Sequence, residues 1–168
     1  MLKVTDNLLT PIEQFFIEDL LKYSKNWQFL YNPDYAGTMM AISVMRSGRV
    51  HNELLIAPLE QLLVRYLGAE FPGKNYDLHK VVVNGQYTQN KTFWHTDVDR
   101  EPTDLNLIYY VNTDWDSTVD GGEFQTHDET IEFKTGRFVC VPCGVEHIGN
   151  APKSEKFRMS VAWTFKLL

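Results

Sequence analysis

Apolar positions in the first half of the chain recur at helical spacing. Thr10-Pro11-Ile12-Glu13 carries the marks of a helix start: a hydroxyl cap, a proline at the first helical position and a glutamate that completes a capping box. Ile12, Phe15, Phe16, Leu20 and Tyr23 then fall on one face, which predicts a helix over residues 11–23 packed through that face. A second helical period runs from Glu53 to Ala69, with Leu55, Leu59, Leu62, Leu63 and Tyr66 inward. Pro58 predicts a broken or delayed first turn there. Near Leu78 the texture changes to short β-branched and aromatic runs separated by Gly, Asp, Asn and Pro. These runs are Val81 to Val83, Leu107 to Val111, Gly122 to Thr126, Thr130 to Phe133, Arg137 to Val141 and Phe157 to Phe165. Closely spaced short strands with turn signals predict a sandwich or barrel and not a strand–helix–strand sheet. The expected fold is mostly β, with N-terminal helices against an antiparallel jelly-roll core. No repeat or linker interrupts the chain. Its 168 residues therefore suit one domain, a helical buttress over 1–77 and a β core over 78–168.

Composition narrows the class. A hydrophobic fraction of 43% and an aromatic fraction of 13% support a buried core and exclude a disordered chain. No apolar run is long enough to span a bilayer, and Met1 to Asp6 lacks the basic-then-apolar layout of a signal peptide. Cys140 and Cys143 make no disulfide framework. A soluble, cytoplasmic protein is expected. A formal charge of −6 without a Lys/Arg cluster argues against nucleic acid as a partner and leaves a peptide or a small molecule.

The candidate chemistry begins at His95-Thr96-Asp97. Two residues apart on an extended chain, an imidazole and a carboxylate point to the same side and can share a metal. His147 follows the apolar run Arg137 to Val141 and a Pro/Gly turn, which can return it to the same mouth. Two histidines and one carboxylate form a facial triad that leaves positions open on Fe(II) for a bidentate keto acid and dioxygen. Arg158 comes eleven residues after His147, with Ser160 two further on and on the same side of a strand. A guanidinium fork beside a hydroxyl suits the far carboxylate of a dicarboxylate. Each piece alone also fits a solvated loop histidine, a packed histidine or a surface ion pair. The signal lies in their order and strand context.

On these residues the chain resembles the 2-oxoglutarate and Fe(II)-dependent dioxygenases, in their prolyl 4-hydroxylase-like branch, from about Val81 to Phe165. The markers are Asn84-Gly85-Gln86-Tyr87, His95-Thr96-Asp97, Leu107-Ile108-Tyr109-Tyr110-Val111-Asn112, Asp114-Trp115-Asp116, Asp120-Gly121-Gly122-Glu123-Phe124, His147, and Arg158-Met159-Ser160 with Trp163 beyond. The stretch Tyr109 to Gly122 is especially similar to the oxygen-sensing prolyl hydroxylases. The resemblance implies a double-stranded β-helix with iron at its open mouth, held by His95, Asp97 and His147. It implies 2-oxoglutarate as co-substrate, gripped by Arg158 with Tyr110 and Ser160, and Tyr87 as a pocket aromatic. It also implies dioxygen as oxidant and admits ascorbate as a reductant. Oxidative decarboxylation would yield succinate and carbon dioxide. Asp97 favours hydroxylation, because halogenating relatives leave that position empty for halide. The implied substrate is a prolyl residue in a peptide or a free amino acid.

Other features are set aside. Cys140-Val141-Pro142-Cys143 has CxxC spacing but no second pair, so Cys140 is expected inside the sandwich and Cys143 in the turn before His147. His127-Asp128-Glu129 reads as a solvated hairpin turn, and Glu123 reads equally as a neighbour of the site or a strand edge. Two rivals differ in chemistry. Repair of alkylated bases would call for a second arginine where Thr164 stands. A cupin-like metal-binding module or metalloenzyme without 2-oxoglutarate would leave Arg158 and Tyr110 without a task.

Overall fold

The computed structural model describes residues 2–32, 37–97 and 101–168. Helix α1 (Pro11–Lys22) starts at the capping box: the Glu13 amide donates to Thr10 Oγ1 at 3.4 Å and the Thr10 amide donates to Glu13 Oε2 at 2.8 Å. Helix α2 (Glu53–Glu70) is capped by Asn52, whose Oδ1 accepts from the Leu55 amide at 3.2 Å. It runs unbroken through Pro58, contrary to the expected delay. The carbonyl that the proline leaves unpaired belongs to Leu54, a residue 83% exposed in the first turn, where water can satisfy it.

The strands are β1 (Lys3–Thr5), β2 (Gln28–Asn32), β3 (Gly37–Arg46), β4 (Arg49–Val50), β5 (Tyr76–Gln86), β6 (Leu105–Tyr110), β7 (Phe124–Thr126), β8 (Thr130–Ile131), β9 (Phe138–Pro142), β10 (His147–Gly149) and β11 (Arg158–Leu167), with a short helix α3 (Ser117–Asp120) before β7. The described residues form an eight-stranded antiparallel sheet in the order β1-β9-β6-β11-β5-β3-β2, with β4 on β3, and a three-stranded sheet β10-β7-β8. The first 77 residues are thus not only helical. Four strands there join the large sheet, and Ile42 and Val44 of β3 lie in its core.

Strand alternation sorts the side chains into two layers. Val81, Val83, Leu107, Tyr109, Phe138, Cys140, Met159, Val161, Trp163 and Phe165 pack on the helix side with Ile17, Leu21, Leu59, Leu63 and Tyr66. Their neighbours Ile108, Tyr110, Val139 and Val141 pack on the other side with Phe124 and Phe133. Cys140 therefore lies under the helices and not between the sheets, while Cys143 is buried in the turn before β10. No helix among the described residues is long and apolar enough to cross a membrane.

The buried face of α1 differs from the expectation. Ile12, Phe15, Phe16 and Tyr23 are 58–82% exposed, and Ile17 and Leu21 are buried instead. Apolar residues surround most of this helix, so periodicity alone cannot choose its roll. Polar ties choose it. Arg65 of α2 donates to Glu13 at 2.7 Å and to the Leu8 carbonyl at 3.1 Å, and Glu18 accepts from the Thr113 amide and hydroxyl.

Asp6 clamps the segment after β1. Arg137 donates to it through Nε at 2.8 Å and Nη2 at 2.9 Å, and Lys134 through Nζ at 2.8 Å. The Arg137 hydrogen bonds, aided by Lys134, hold its carboxyl at about 2, against 3.8 ordinarily. A depressed carboxyl stabilises the fold fully above its unfolded pKa and loses that effect as pH falls through its folded pKa. Asp6→Asn should therefore lower stability by about 1–2 kcal/mol near neutral pH, with the gap closing as pH drops from about 4 to about 2. Denaturant unfolding of both proteins across that range measures it; a gap that persists unchanged at the acid end refutes the clamp.

Gly85 makes a second prediction. A Cβ there would sit 2.1 Å from Phe157 Cζ and 2.8 Å from Trp27 Cζ3. Those rings pack edge to face at 5.1 Å. Gly85→Ala should cost about 1–3 kcal/mol in a thermal or chemical melt; a neutral result would mean that the Phe157–Trp27 pair yields freely.

Candidate active site

His95 and His147 face each other across an isolated antiparallel bridge. The His95 amide donates to the His147 carbonyl at 3.0 Å, and the His147 amide returns the bond at 2.8 Å. The Asp97 amide donates to the Cys143 carbonyl at 3.1 Å. The His95-Thr96-Asp97 segment is thereby stitched to the turn and strand that carry His147. The imidazole centroids are 4.5 Å apart, and His147 Nε2 lies 4.0 Å from Asp97 Oδ2. Nδ1 of His95 lies 3.2 Å from the Phe93 carbonyl, and Nδ1 of His147 lies 2.9 Å from the Val145 carbonyl. A carbonyl can only accept, so each Nδ1 carries a proton, and in the neutral ring the lone pair then sits on Nε2. Burial lowers the His147 pKa, and the His95 ring adds to this, which keeps it neutral.

This donor set fits a divalent ion such as Fe(II): two imidazoles of fixed tautomer and one carboxylate, on a backbone whose register is in place. Among the described residues no three His, Cys, Asp or Glu side chains already stand at the spacing of a closed metal site. Closing this one calls for side-chain rotation. Asn106 supports the carboxylate: its Nδ2 donates to Asp97 Oδ2 at 2.8 Å, while its own Oδ1 is buried without a partner.

A second cluster lies on the same side of the large sheet. Cross-strand register places Arg158 opposite Gln86, and Ser160 between Tyr110 and Asn84. Arg158 is 3% exposed. Its Nε donates to the Gly122 carbonyl at 3.1 Å, and its Nη1 to Gln86 Oε1 at 2.8 Å and to Ser160 Oγ at 3.5 Å. All three acceptors are neutral. Glu123 is engaged by Lys153 at 2.9 Å and acts on Arg158 only from a distance. Burial lowers the Arg158 pKa, although a guanidinium keeps its proton. Tyr110 stacks on Phe133 at 4.3 Å, and the guanidinium lies 5.6 Å from the Tyr110 ring centroid. The Tyr110 hydroxyl is buried without a hydrogen-bond partner, and burial pushes its pKa up to about 12. A buried cation with neutral neighbours and an idle phenol donor suits a carboxylate ligand.

Gly122 explains part of the Gly-Gly element. Its φ is +83°, and a Cβ would stand 3.1 Å from both Arg158 Nε and Trp115 Cζ2. Tyr87 does not join this cluster. It packs at a tilt against Phe157, with ring centroids 4.6 Å apart, and Phe157 leaves the chain on the side opposite its neighbour Arg158. Half exposed on the outer face, Tyr87 has no geometry for the co-substrate role expected of it. His127 sits in the β7–β8 turn as expected. There it bonds Glu146 at 2.6 Å and stacks on Trp94 at 4.6 Å. Sequence reasoning passed over Gln86 and Asn106. The available signal was polarity at inward positions of otherwise apolar strands.

The family model for the 2OG-Fe(II) oxygenase superfamily matches residues 82–165, half of the chain, and spans both clusters. No curated protein matches the sequence. Solved structures of similar fold include an oxidoreductase of the 2OG-Fe(II) oxygenase family from Burkholderia pseudomallei (14% identity, TM-score 0.71, covering 98% of this chain and 85% of that one). A prolyl-4-hydroxylase from Pseudomonas putida is similar too (13% identity, TM-score 0.66, 98% and 92% covered). So is the non-heme alpha-ketoglutarate-dependent epimerase SnoN from nogalamycin biosynthesis (16% identity, TM-score 0.69, 98% and 77% covered). With its jelly-roll fold and a family match over the whole segment that holds the two histidines, the aspartate and the buried arginine, this chain belongs to the 2OG-Fe(II) oxygenase superfamily and is an Fe(II)- and 2-oxoglutarate-dependent dioxygenase.

Proposed function

We propose that this enzyme hydroxylates a prolyl residue in a peptide or a free amino acid, with iron held by His95, Asp97 and His147 and with Arg158 gripping the far carboxylate of 2-oxoglutarate. The observation that carries the co-substrate assignment is the burial of Arg158 among neutral acceptors. The substrate reading rests on the motif likeness from Tyr109 to Gly122 and on a prolyl-4-hydroxylase among the similar structures.

Iron and 2-oxoglutarate supply the oxidising power: dioxygen is reduced, the keto acid loses carbon dioxide to become succinate, and one oxygen atom enters a substrate C–H bond. The protein's own groups position and protect. The two Nε2 lone pairs and the Asp97 carboxylate would hold the ion, and three protein donors would leave it positions for co-substrate. Asn106 restrains Asp97 Oδ2, which leaves Oδ1 the freer oxygen for the ion. Arg158, Ser160 and Tyr110 each offer an N–H or O–H donor to a carboxylate entering from the mouth. Phe124 and Phe133 pack beside these groups and exclude water.

A screen of proline-containing peptides and free amino acids for stimulated succinate release tests the substrate class. Stimulation by compounds without proline alone would refute the prolyl reading.

The two clusters should separate in paired titrations with metal and with 2-oxoglutarate. Lysine keeps the charge of Arg158 and loses its fork, so Arg158→Lys should weaken co-substrate binding roughly ten- to a hundredfold and leave iron binding nearly unchanged. Arg158→Ala should cost more, and Asp97→Ala should lose iron first. Unchanged co-substrate affinity in Arg158→Ala would show that another residue holds the carboxylate.

Asn106→Leu should lower iron affinity about tenfold while co-substrate affinity at saturating metal holds steady. Equal iron affinity would mean that Asp97 needs no support from the amide.

A further inference from the structure

Gln86 stands on β5 directly opposite Arg158 on β11. Its Oε1 accepts from Arg158 Nη1 at 2.8 Å, and its Nε2 donates to the Gly149 carbonyl at 3.2 Å. Gly149 closes β10, the strand that His147 opens. One amide therefore ties the buried arginine to the strand of a metal-ligand histidine, across the gap between the two sheets. Gln86 is 7% exposed and Arg158 3%, so neither bond competes with bulk water.

The choice of an amide has an electrostatic consequence. A glutamate of the same length could accept the same hydrogen bond from Nη1. It would also neutralise the guanidinium in a dry site, where opposite charges attract strongly. The arginine would then have no charge left for an incoming dicarboxylate. Glutamine holds the side chain and leaves the charge in place.

We propose that Gln86 is a positioning residue for 2-oxoglutarate: a neutral strut that aims Arg158, registers it against the His147 strand and reserves its charge for the co-substrate. This rests on the co-substrate reading of Arg158 given above.

The test compares Gln86→Glu and Gln86→Met by calorimetric titration of 2-oxoglutarate into protein loaded with Mn(II) in place of iron. Melting temperatures and steady-state kinetics accompany it. Gln86→Met removes the aim but adds no charge. It should weaken 2-oxoglutarate about tenfold, raise its KM in step and leave kcat at saturating co-substrate within about threefold, as expected for one lost bond to a charged group. Gln86→Glu should melt no lower than Gln86→Met, because its ion pair is satisfied, yet bind 2-oxoglutarate at least about a hundredfold more weakly than wild type. Mn(II) affinity should stay within about threefold in both, since Gln86 touches no ligand atom.

The inverted order is the signature: the better-folded variant binds worse. A merely structural role predicts the opposite, with binding following stability. Gln86→Glu binding as well as or better than Gln86→Met overturns the proposal. Should Gln86→Glu fail to fold, Gln86→Met decides: a raised KM with retained kcat supports the proposal, and an unchanged KM overturns it. Absence of 2-oxoglutarate binding by the metal-loaded wild type is a separate result, and it overturns the reading of Arg158 along with this one.

Discussion

A guanidinium buried among neutral groups is the most demanding feature of this chain. Removing such a charge from water costs several kcal/mol even after the surroundings relax, and hydrogen bonds to amide and hydroxyl oxygens recover only part of it. Arg158 survives in that state because β11 pairs antiparallel with β5 and β6, and its register with β5 is unbroken from Arg158 to Thr164. The register brings Gln86 to the arginine, β11 itself places Ser160 beside it, and the turn before β7 adds the Gly122 carbonyl, none of which could discharge it. On the opposite side of the same strands, Met159, Val161, Trp163 and Phe165 lie under the two helices and anchor β11 against slippage. A slip of one residue would send Arg158 into that apolar layer and Met159 among its polar partners, so core packing and the placement of the buried cation are one constraint.

The two histidines obey the same logic through the backbone. His95 and His147 exchange a pair of main-chain hydrogen bonds, so their two segments cannot drift apart without breaking both. Each imidazole also bonds the carbonyl two residues before it, at Phe93 and at Val145. The repeated local contact fixes tautomer and ring plane with no second acidic residue. Outside this pair, His127 and Trp94 stack while Glu146 holds His127, which braces the β7–β8 turn against both ligand segments.

How much of this could be read in advance followed physical range. Helix α2 and strands β5, β6, β9 and β11 were legible because burial on one or both faces writes a strong local pattern. His95 and Asp97 could be singled out as candidates because they are two positions apart. The roll of α1 was not, since its apolar residues occupy most of its circumference and the deciding contacts come from Arg65 and Thr113, far along the chain. Strand β3 hid for a related reason: Ala41 and Ile42 are both buried, and the pairing with β5 shifts register between Ser43 and Met45, which blurs alternation. Tyr87 was misplaced because the chain leaves β5 after Gln86, and the motif alone does not show which face the next side chain takes. Gln86 lies in a marker segment that gives it no task of its own, and Asn106 carries no motif. Each matters only through a partner on another strand or segment.

Charge explains why those two positions are amides. In the proposed site Fe(II) would bring two positive charges and Arg158 one, against one negative charge from Asp97 and two from 2-oxoglutarate. Such an assembly would be neutral, and the groups that touch Arg158 are neutral as well, with Glu123 held off in its pair with Lys153. His147 is held unprotonated by burial, Tyr110 keeps its proton with a pKa pushed up to about 12, and Gln86 and Asn106 cannot ionise. In a site this dry an extra charge would bind an ion of its own or displace one of the four components, because opposite charges attract far more strongly there than in water. A glutamate at 86 would compete with the co-substrate for Arg158, and an aspartate at 106 would set a second carboxylate beside Asp97. The amides make the same hydrogen bonds without either competition. On the proposed reading, the amides thus leave Arg158 free for the co-substrate and Asp97 free for the metal.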